Sequence, residues 1–251
     1  MMKDKILDLV GDAHVGLKYV NPSTGEEISF RSEESFPSAS TIKVLILLAL
    51  FQRAKRGELD LGEKKSVDGY EKVAGAGVLW LMDIEKISYH DLARLMLVLS
   101  DNLATNILID SLGMDYINDV GREYGLKSTV LARKMMDLVS KEKGLDNYTS
   151  PDDLARLYYL MHTGGFVDPD YSRLALDILF EQSQKDRLPR YLYEKRIAHK
   201  PGELDGIEND GGIMIKDDRA LIIVVLCKDL EDNIRGKEII GRIAQYIYEE
   251  G

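Results

Sequence analysis

The amino-acid sequence predicts an α+β protein: an antiparallel sheet built from both chain ends and packed with helices, plus a central all-α lobe. Three observations carry this expectation. Residues 14–31 read as two strands around the turn-forming run Asn21-Pro22-Ser23-Thr24-Gly25, which is hairpin chemistry. From roughly Tyr89 to Gly165 the apolar residues recur with helical period, interrupted at Gly113, Gly125, Gly144 and Gly164. Residues 212–216 and 220–227 return to strand-like runs around Asp217-Asp218. A hairpin at each end alone leaves open edges and too little core, so the two are expected to share one sheet.

The amino terminus, Met1-Met2-Lys3-Asp4-Lys5, leads into a short amphipathic stretch containing Asp4, Asp8 and Asp12. It lacks the unbroken apolar core of an export signal. A full-length chain of this kind is expected in the cytoplasm, and one from which a signal has been removed is expected outside it. After Pro37 the segment Ser40–Arg56 is apolar on every side, the mark of a helix buried all round. Its longest apolar run, Val44–Phe51, falls far short of the roughly 20 residues that span a bilayer. Asp101–Leu112 and Pro151–Met161 are the clearest helices of the middle region, Lys141-Glu142-Lys143 reads as a solvated loop, and Ile234–Glu249 closes the chain as an amphipathic helix. At 251 residues a single unit over residues 1–251 is expected. Its α/β lobe would come from about residues 1–55 and 190–251 and its helical lobe from about 56–189.

Composition narrows the function. A formal net charge of −10 argues against nucleic acid as a partner, because binding there relies on Lys and Arg displacing counterions. Cys227 is the single cysteine and sits in an apolar run, so it reads as a small buried hydrophobe. Histidines at 14, 90, 162 and 199 show no zinc-type spacing; neither a metal nor another cofactor is expected.

Three short patterns carry chemistry. Ser40 and Lys43 are spaced i, i+3, which on a helix puts amine and hydroxyl one turn apart. A serine needs a base, and a desolvated lysine can supply one. A chain of this length holds about one Ser-x-x-Lys by chance. Here, however, the pair opens the most apolar helix, where an unpaired ammonium is costly. Ser100-Asp101-Asn102 precedes a helical run, where simple N-capping would also account for it. Lys200-Pro201-Gly202 comes before the carboxy-terminal hairpin, where a loop entering a strand is the plain alternative.

Taken in order, with the surrounding text Phe36-Pro37-Ser38-Ala39-Ser40-Thr41-Ile42-Lys43 and Ser100-Asp101-Asn102-Leu103-Ala104-Thr105-Asn106, these motifs make the sequence resemble the class A β-lactamase family from about residue 12 to 250. The resemblance implies an enzyme, a serine hydrolase that acts through an acyl-enzyme on the amide bond of a small-molecule substrate, a β-lactam or peptide-like amide. It implies that Ser40 is the nucleophile, that Lys43 takes its proton, and that Ser100 protonates the departing nitrogen. Asn102 would bind the substrate's side-chain amide, and Lys200, in the motif closed by Gly202, would attract its carboxylate. The backbone N–H groups of Ser40 and Glu203 would form an oxyanion hole. Asn209-Asp210 fall beside the site without an assigned role.

Two departures separate this chain from the family pattern. Pro201 stands where a threonine or serine is usual, and Glu203 adds a negative charge where an anionic substrate would dock. In the stretch Leu131-Ala132-Arg133-Lys134-Met135-Met136-Asp137-Leu138-Val139, Met135 occupies the position of the water-activating glutamate and Val139 that of its asparagine partner. Asp137 or Glu142 could substitute only if the loop is re-routed. Acylation is therefore expected to survive and deacylation to be slow. The alternatives are a penicillin-binding-type peptidase or esterase on a non-lactam substrate, and a non-catalytic ligand-binding sensor.

Overall fold

The computed structural model describes residues 2–251, and its sheet draws strands from both ends of the chain. Helix α1 (Met2–Val10), which is the amphipathic amino-terminal stretch, precedes strands β1 (His14–Asn21) and β2 (Glu26–Phe30). Strand β3 (Phe36–Pro37) leads through a short 3-10 helix, Ala39–Ile42, into α2 (Lys43–Lys55). The middle of the chain holds β4 (Lys64–Ser66), β5 (Lys86–Ser88), α3 (Tyr89–Val98), α4 (Asn102–Leu112), α5 (Met114–Glu123), α6 (Leu138–Glu142), β6 (Tyr148–Thr149), α7 (Pro151–Thr163) and α8 (Pro169–Phe180). The chain returns to the sheet as β7 (Arg196–Leu204), β8 (Ile207–Lys216) and β9 (Arg219–Lys228), then ends in α9 (Asn233–Glu250). The strands lie in the order β2-β1-β9-β8-β7, all neighbours antiparallel.

Strand β9 reads as a continuous apolar run because it is covered on both faces. Leu221, Ile223, Val225 and Cys227 join the core beneath α1 and α9, while Ala220, Ile222, Val224 and Leu226 join the core shared with α2 and α7. Period-two side chains make one strand serve two cores. The β8–β9 hairpin turns on Asp217 and Asp218, both at positive φ, the paired left-handed conformation that matches strand twist.

Differences from the sequence expectation have local causes. Strand β7 runs straight through Lys200-Pro201-Gly202, which rules out the plain-loop alternative for this motif. Proline is tolerated in an edge strand, and β7 is one. Strand β8 begins at Ile207, earlier than its apolar part, because Glu208, Asn209 and Asp210 are buried polar residues. The Lys141-Glu142-Lys143 cluster is not wholly loop: α6 includes Lys141 and Glu142, with Asp137 as its N-cap. Finally, α2 packs on α3, α4 and α5, so the helix opened by Lys43 sits with the helical side of the molecule.

From Val44 to Phe51 every residue of α2 is fully buried, and nothing in that shell can relax outward to refill a void. Leu47→Ala is therefore expected to lower unfolding stability by about 2–5 kcal/mol in chemical denaturation. A loss below about 1 kcal/mol would show that the helix is not close-packed.

Candidate active site

Each chemical motif sits at a backbone position that side chains rarely adopt or closely approach. Ala39, immediately before Ser40, has φ 46°, and Ser100 has φ 55°. Such left-handed residues cost about 1–3 kcal/mol and persist only where surroundings hold them. The Ser40 turn is held from three sides. Asn209 Nδ2 donates to Pro37 O at 2.8 Å, Ser38 N donates to Asn147 O at 2.8 Å, and Thr41 Oγ1 donates to Ser38 O at 2.7 Å. Strand β7 closes the fourth side so tightly that a Cβ on Gly202 would lie 2.9 Å from Ser40 N and 3.0 Å from Ser38 O. Only glycine fits.

The Ser100 turn is braced by Asp101. Its carboxylate accepts from Ala104 N at 2.9 Å, capping α4, and from Val78 N at 2.6 Å and Leu79 N at 2.8 Å. Asn102 Nδ2 donates to Ala74 O at 3.1 Å. A Cβ at Gly77, itself at φ 89°, would fall within 2.3 Å of the Asp101 backbone. The capping suggested by sequence is thus present, and the same carboxylate also ties residues 78–79 to the start of α4.

Lys43 and Lys200 are both fully buried and meet at one hydroxyl. Lys43 Nζ lies 3.1 Å from Ser100 Oγ, 2.7 Å from Ser100 O and 3.1 Å from Asn102 Oδ1. Lys200 Nζ lies 3.1 Å from the same Ser100 Oγ and donates to Pro201 O at 2.8 Å. Burial pushes the Lys43 ammonium well below its usual pKa, and Lys200 lowers it further. Lys200 is brought down to about 7, again mainly by burial, with Asp210 opposing the shift. A hydroxyl between two such amines can accept from a charged one and donate to a neutral one.

The expected Ser40–Lys43 contact takes a different form. Ser40 lies in the 3-10 turn and α2 starts only at Lys43. The lysine is drawn toward Ser100 and Asn102, and the Ser40 hydroxyl makes no hydrogen bond with any described residue. Ser40 opens into a cleft of about 670 Å³ shared with Ser100, Gly202 and Glu203. Glu203 also differs from expectation, since its carboxylate is bound by Arg187 and by Lys237 at 3.2 Å, so its charge is largely compensated. Arg187, almost fully buried, further pairs with Glu208 at 2.5 Å and Asp186 at 2.7 Å.

The two residues left without a role find one here. Asn209 pins the Ser40 turn through Pro37 and accepts from Cys227 N at 3.2 Å. Asp210 accepts from Leu188 N at 3.1 Å and holds His199 Nδ1 at 2.9 Å, behind Lys200. Asn106 went unremarked in the sequence. Its Oδ1 accepts from Met135 N at 2.9 Å and its Nδ2 donates to Met135 O at 3.1 Å. Nothing in sequence separates a clasp of this kind from an ordinary helical asparagine.

Residues 131–150 form a loop closed on itself. Arg133 pairs with Asp146 at 2.7 Å, and Asn147 Oδ1 accepts from Ala132 N and Arg133 N. Met135 is buried. Asp137 accepts from Ser140 N and Oγ at 2.9 and 2.7 Å, which holds its carboxyl below the usual range. Neither Asp137 nor Glu142 is among the residues that line the Ser40 cleft. Among the described residues no helix is long and apolar enough to cross a membrane.

Known proteins share this fold. A family model described as the beta-lactamase enzyme family matches residues 2–250. A β-lactamase of Streptomyces albus G is 25% identical over 256 aligned residues, covering 97% of this chain and 82% of that one. CARB-4 of Pseudomonas aeruginosa is 27% identical over 66% of this chain, a match that spans only 58% of that relative. Among solved structures, a β-lactamase from Sphaerobacter thermophilus superposes with TM-score 0.91 at 28% identity, covering 99% of this chain and 95% of its own. PBP-A superposes with TM-score 0.90 at 29% identity over 99% and 94% of the two chains. A point mutant of PBP-A, with the same score and identity, was solved as an acyl-enzyme complex with penicillin G. With the Ser-x-x-Lys turn, the Ser-Asp-Asn turn and the β7 edge meeting in one cleft, the chain belongs to the β-lactamase enzyme family, as a β-lactamase-like serine hydrolase.

Proposed function

We propose that Ser40 forms an acyl-enzyme with β-lactams or related amides, and that the ester so formed is released slowly. The observation that carries this reading is the chain Lys43–Ser100–Lys200, three groups within hydrogen-bond reach beneath an unengaged serine hydroxyl. Ser40 Oγ attacks the carbonyl carbon while its proton passes to the neutral amine of Lys43, directly or through Ser100. The C–N bond then breaks, and the departing nitrogen takes a proton from Ser100, which Lys43 reprotonates. The backbone N–H groups of Ser40 and Glu203 receive the oxyanion, since β7 is an edge strand with alternate N–H groups free of a strand partner. Lys200 attracts an anionic substrate, and Asn102 both steadies Lys43 and offers its amide to the acyl group. The acyl-enzyme that the PBP-A mutant forms with penicillin G supports the first half-reaction.

Hydrolysis of the ester is the weak half. It needs a base beside a positioned water, and Met135 has none to offer, while Asp137 and Asp146 are committed to Ser140 and Arg133. A second reading, a penicillin-binding-type peptidase or esterase on a non-lactam substrate, is favoured by Pro201 and Met135. A non-catalytic sensor would require that Ser40→Ala keep full ligand affinity and the same biological effect.

The reading is tested by following intact mass after mixing with a penicillin and a cephalosporin. The expected result is a persistent adduct of the drug's mass, absent in Ser40→Ala; no adduct together with no drug loss would refute it. Met135→Glu is expected to shorten adduct lifetime by about 10²-fold, the lower end of general-base contributions. An unchanged lifetime would mean that position 135 does not face the ester. Lys200 is charged below pH about 7 and neutral above it. Acylation by an anionic penicillin should therefore fall several-fold between about pH 6.5 and about pH 8.5, relative to an ester lacking a carboxylate. Parallel pH profiles for the two substrates would remove Lys200 from anion binding.

A further inference from the structure

The two ends of the cleft differ in charge. Ser100 and Lys200 lie on one side of the Ser40–Gly202 contact, and since Ser100 serves the departing nitrogen, that side takes the leaving group. Strand β7 then runs on through Glu203 and Leu204 into the turn at Asp205, so this other side takes the acyl group. Here the cleft is lined by Glu203, Asp205, Glu231 and Asp232, with no lysine or arginine among its lining residues.

The four carboxylates are not equivalent. Glu203 is bound by Arg187 and Lys237. Asp232 accepts from Ile234 N at 2.9 Å and so caps α9, offsetting the positive end of that helix. Asp205 is exposed and makes no hydrogen bond or ion pair with any described residue. Glu231 is exposed too and forms no ion pair with any described residue; Arg235, which it attracts, is bound to Asp12.

The backbone that presents these two groups is fixed before any ligand arrives. Asn233 Oδ1 accepts from Gly206 N at 3.0 Å, and its Nδ2 donates to Leu204 O at 2.8 Å and Glu208 Oε1 at 3.0 Å. Leu230 N donates to Gly206 O at 3.0 Å. Carboxylates held in no ion pair on a braced wall attract an opposite charge with little ordering cost. At the far end, the Lys200 ammonium is already engaged by Ser100 and the Pro201 carbonyl, which leaves the acidic wall as the stronger discriminator.

We propose that the acyl portion of the natural substrate carries a cationic group, an amine or guanidinium, that docks against Asp205 and Glu231. This rests on the acyl-transfer reading above, which decides which end of the cleft holds the acyl group. An anionic group at that position is repelled, and a neutral one gains nothing from the two carboxylates.

The test uses N-acetylcysteamine thioesters of N-acetyl-lysine, N-acetyl-norleucine and N-acetyl-2-aminoadipate, which share a neutral leaving group and differ in side-chain charge. Ser40 acylation is followed by intact mass on the whole chain. The lysine thioester is expected to acylate at least about 10-fold faster than the norleucine one, with the aminoadipate slowest. The lysine-to-norleucine ratio should shrink in about 500 mM salt and fall to about 2-fold or less in Asp205→Asn/Glu231→Gln. A ratio near one in the wild type, or one that persists in the double variant, overturns the proposal while leaving acyl transfer intact. If no thioester acylates Ser40, acyl transfer fails instead, and binding of the three matching methyl amides to Ser40→Ala decides the question. A preference of about 10-fold for the lysine amide upholds the cation site, and equal binding overturns it.

Discussion

Two fully buried lysines sharing one serine hydroxyl form the constraint around which the site is arranged. Placing Lys43 and Lys200 out of water is unfavourable unless their protons are satisfied and their charge is reduced. Both conditions hold, since Ser100 Oγ and O, Asn102 Oδ1 and the Pro201 carbonyl take up their hydrogens, and burial lowers both pKa values. The arrangement requires Ser100 in a left-handed conformation, and Asp101 maintains it with three backbone N–H groups on its carboxylate. Removing a single partner would leave an uncompensated buried group, so the cluster stands or falls as a unit.

The sheet supplies the rigidity that this cluster lacks. Strand β8 sends Asn209 to the Ser40 turn and Asp210 to the rear of Lys200, while β7 slides its glycine against Ser40 N. These strands are clamped to β9, whose side chains are buried in both cores. Behind the edge strand, Arg187 joins Asp186, Glu203 and Glu208 in a largely buried ion network. One arginine facing three carboxylates, aided by Lys237, fixes the end of β7 where an oxyanion would be received.

The two half-reactions of acyl transfer depend on different parts of this scaffold. Groups suited to forming an ester come from α2, the Ser100 turn and β7. The segment at 131–150, where the family resemblance places a hydrolytic base, is separate from all three. That segment is pinned from within by Arg133 paired to Asp146 and from α4 by Asn106 clasping the Met135 backbone. It holds a buried thioether at position 135.

The fold class and the three motifs were legible because periodicity, turn residues and short spacings are local properties. The apolar run of β9, the left-handed Asp217-Asp218 turn and the Asp101 cap each express chemistry within a few residues. What sequence could not express is direction. Nothing local says that the Lys43 ammonium is held by Ser100 and Asn102, far along the chain, or that Glu203 is neutralised by Arg187. Nor does it reveal that Pro201 sits within a strand, that Asn106 grips Met135, or that Asp205 and Glu231 face one cleft. Sequence by itself determined which reactive groups this protein carries. Only tertiary packing decided their partners, because burial and charge at each group are set by residues distant in the chain and brought together by the two cores.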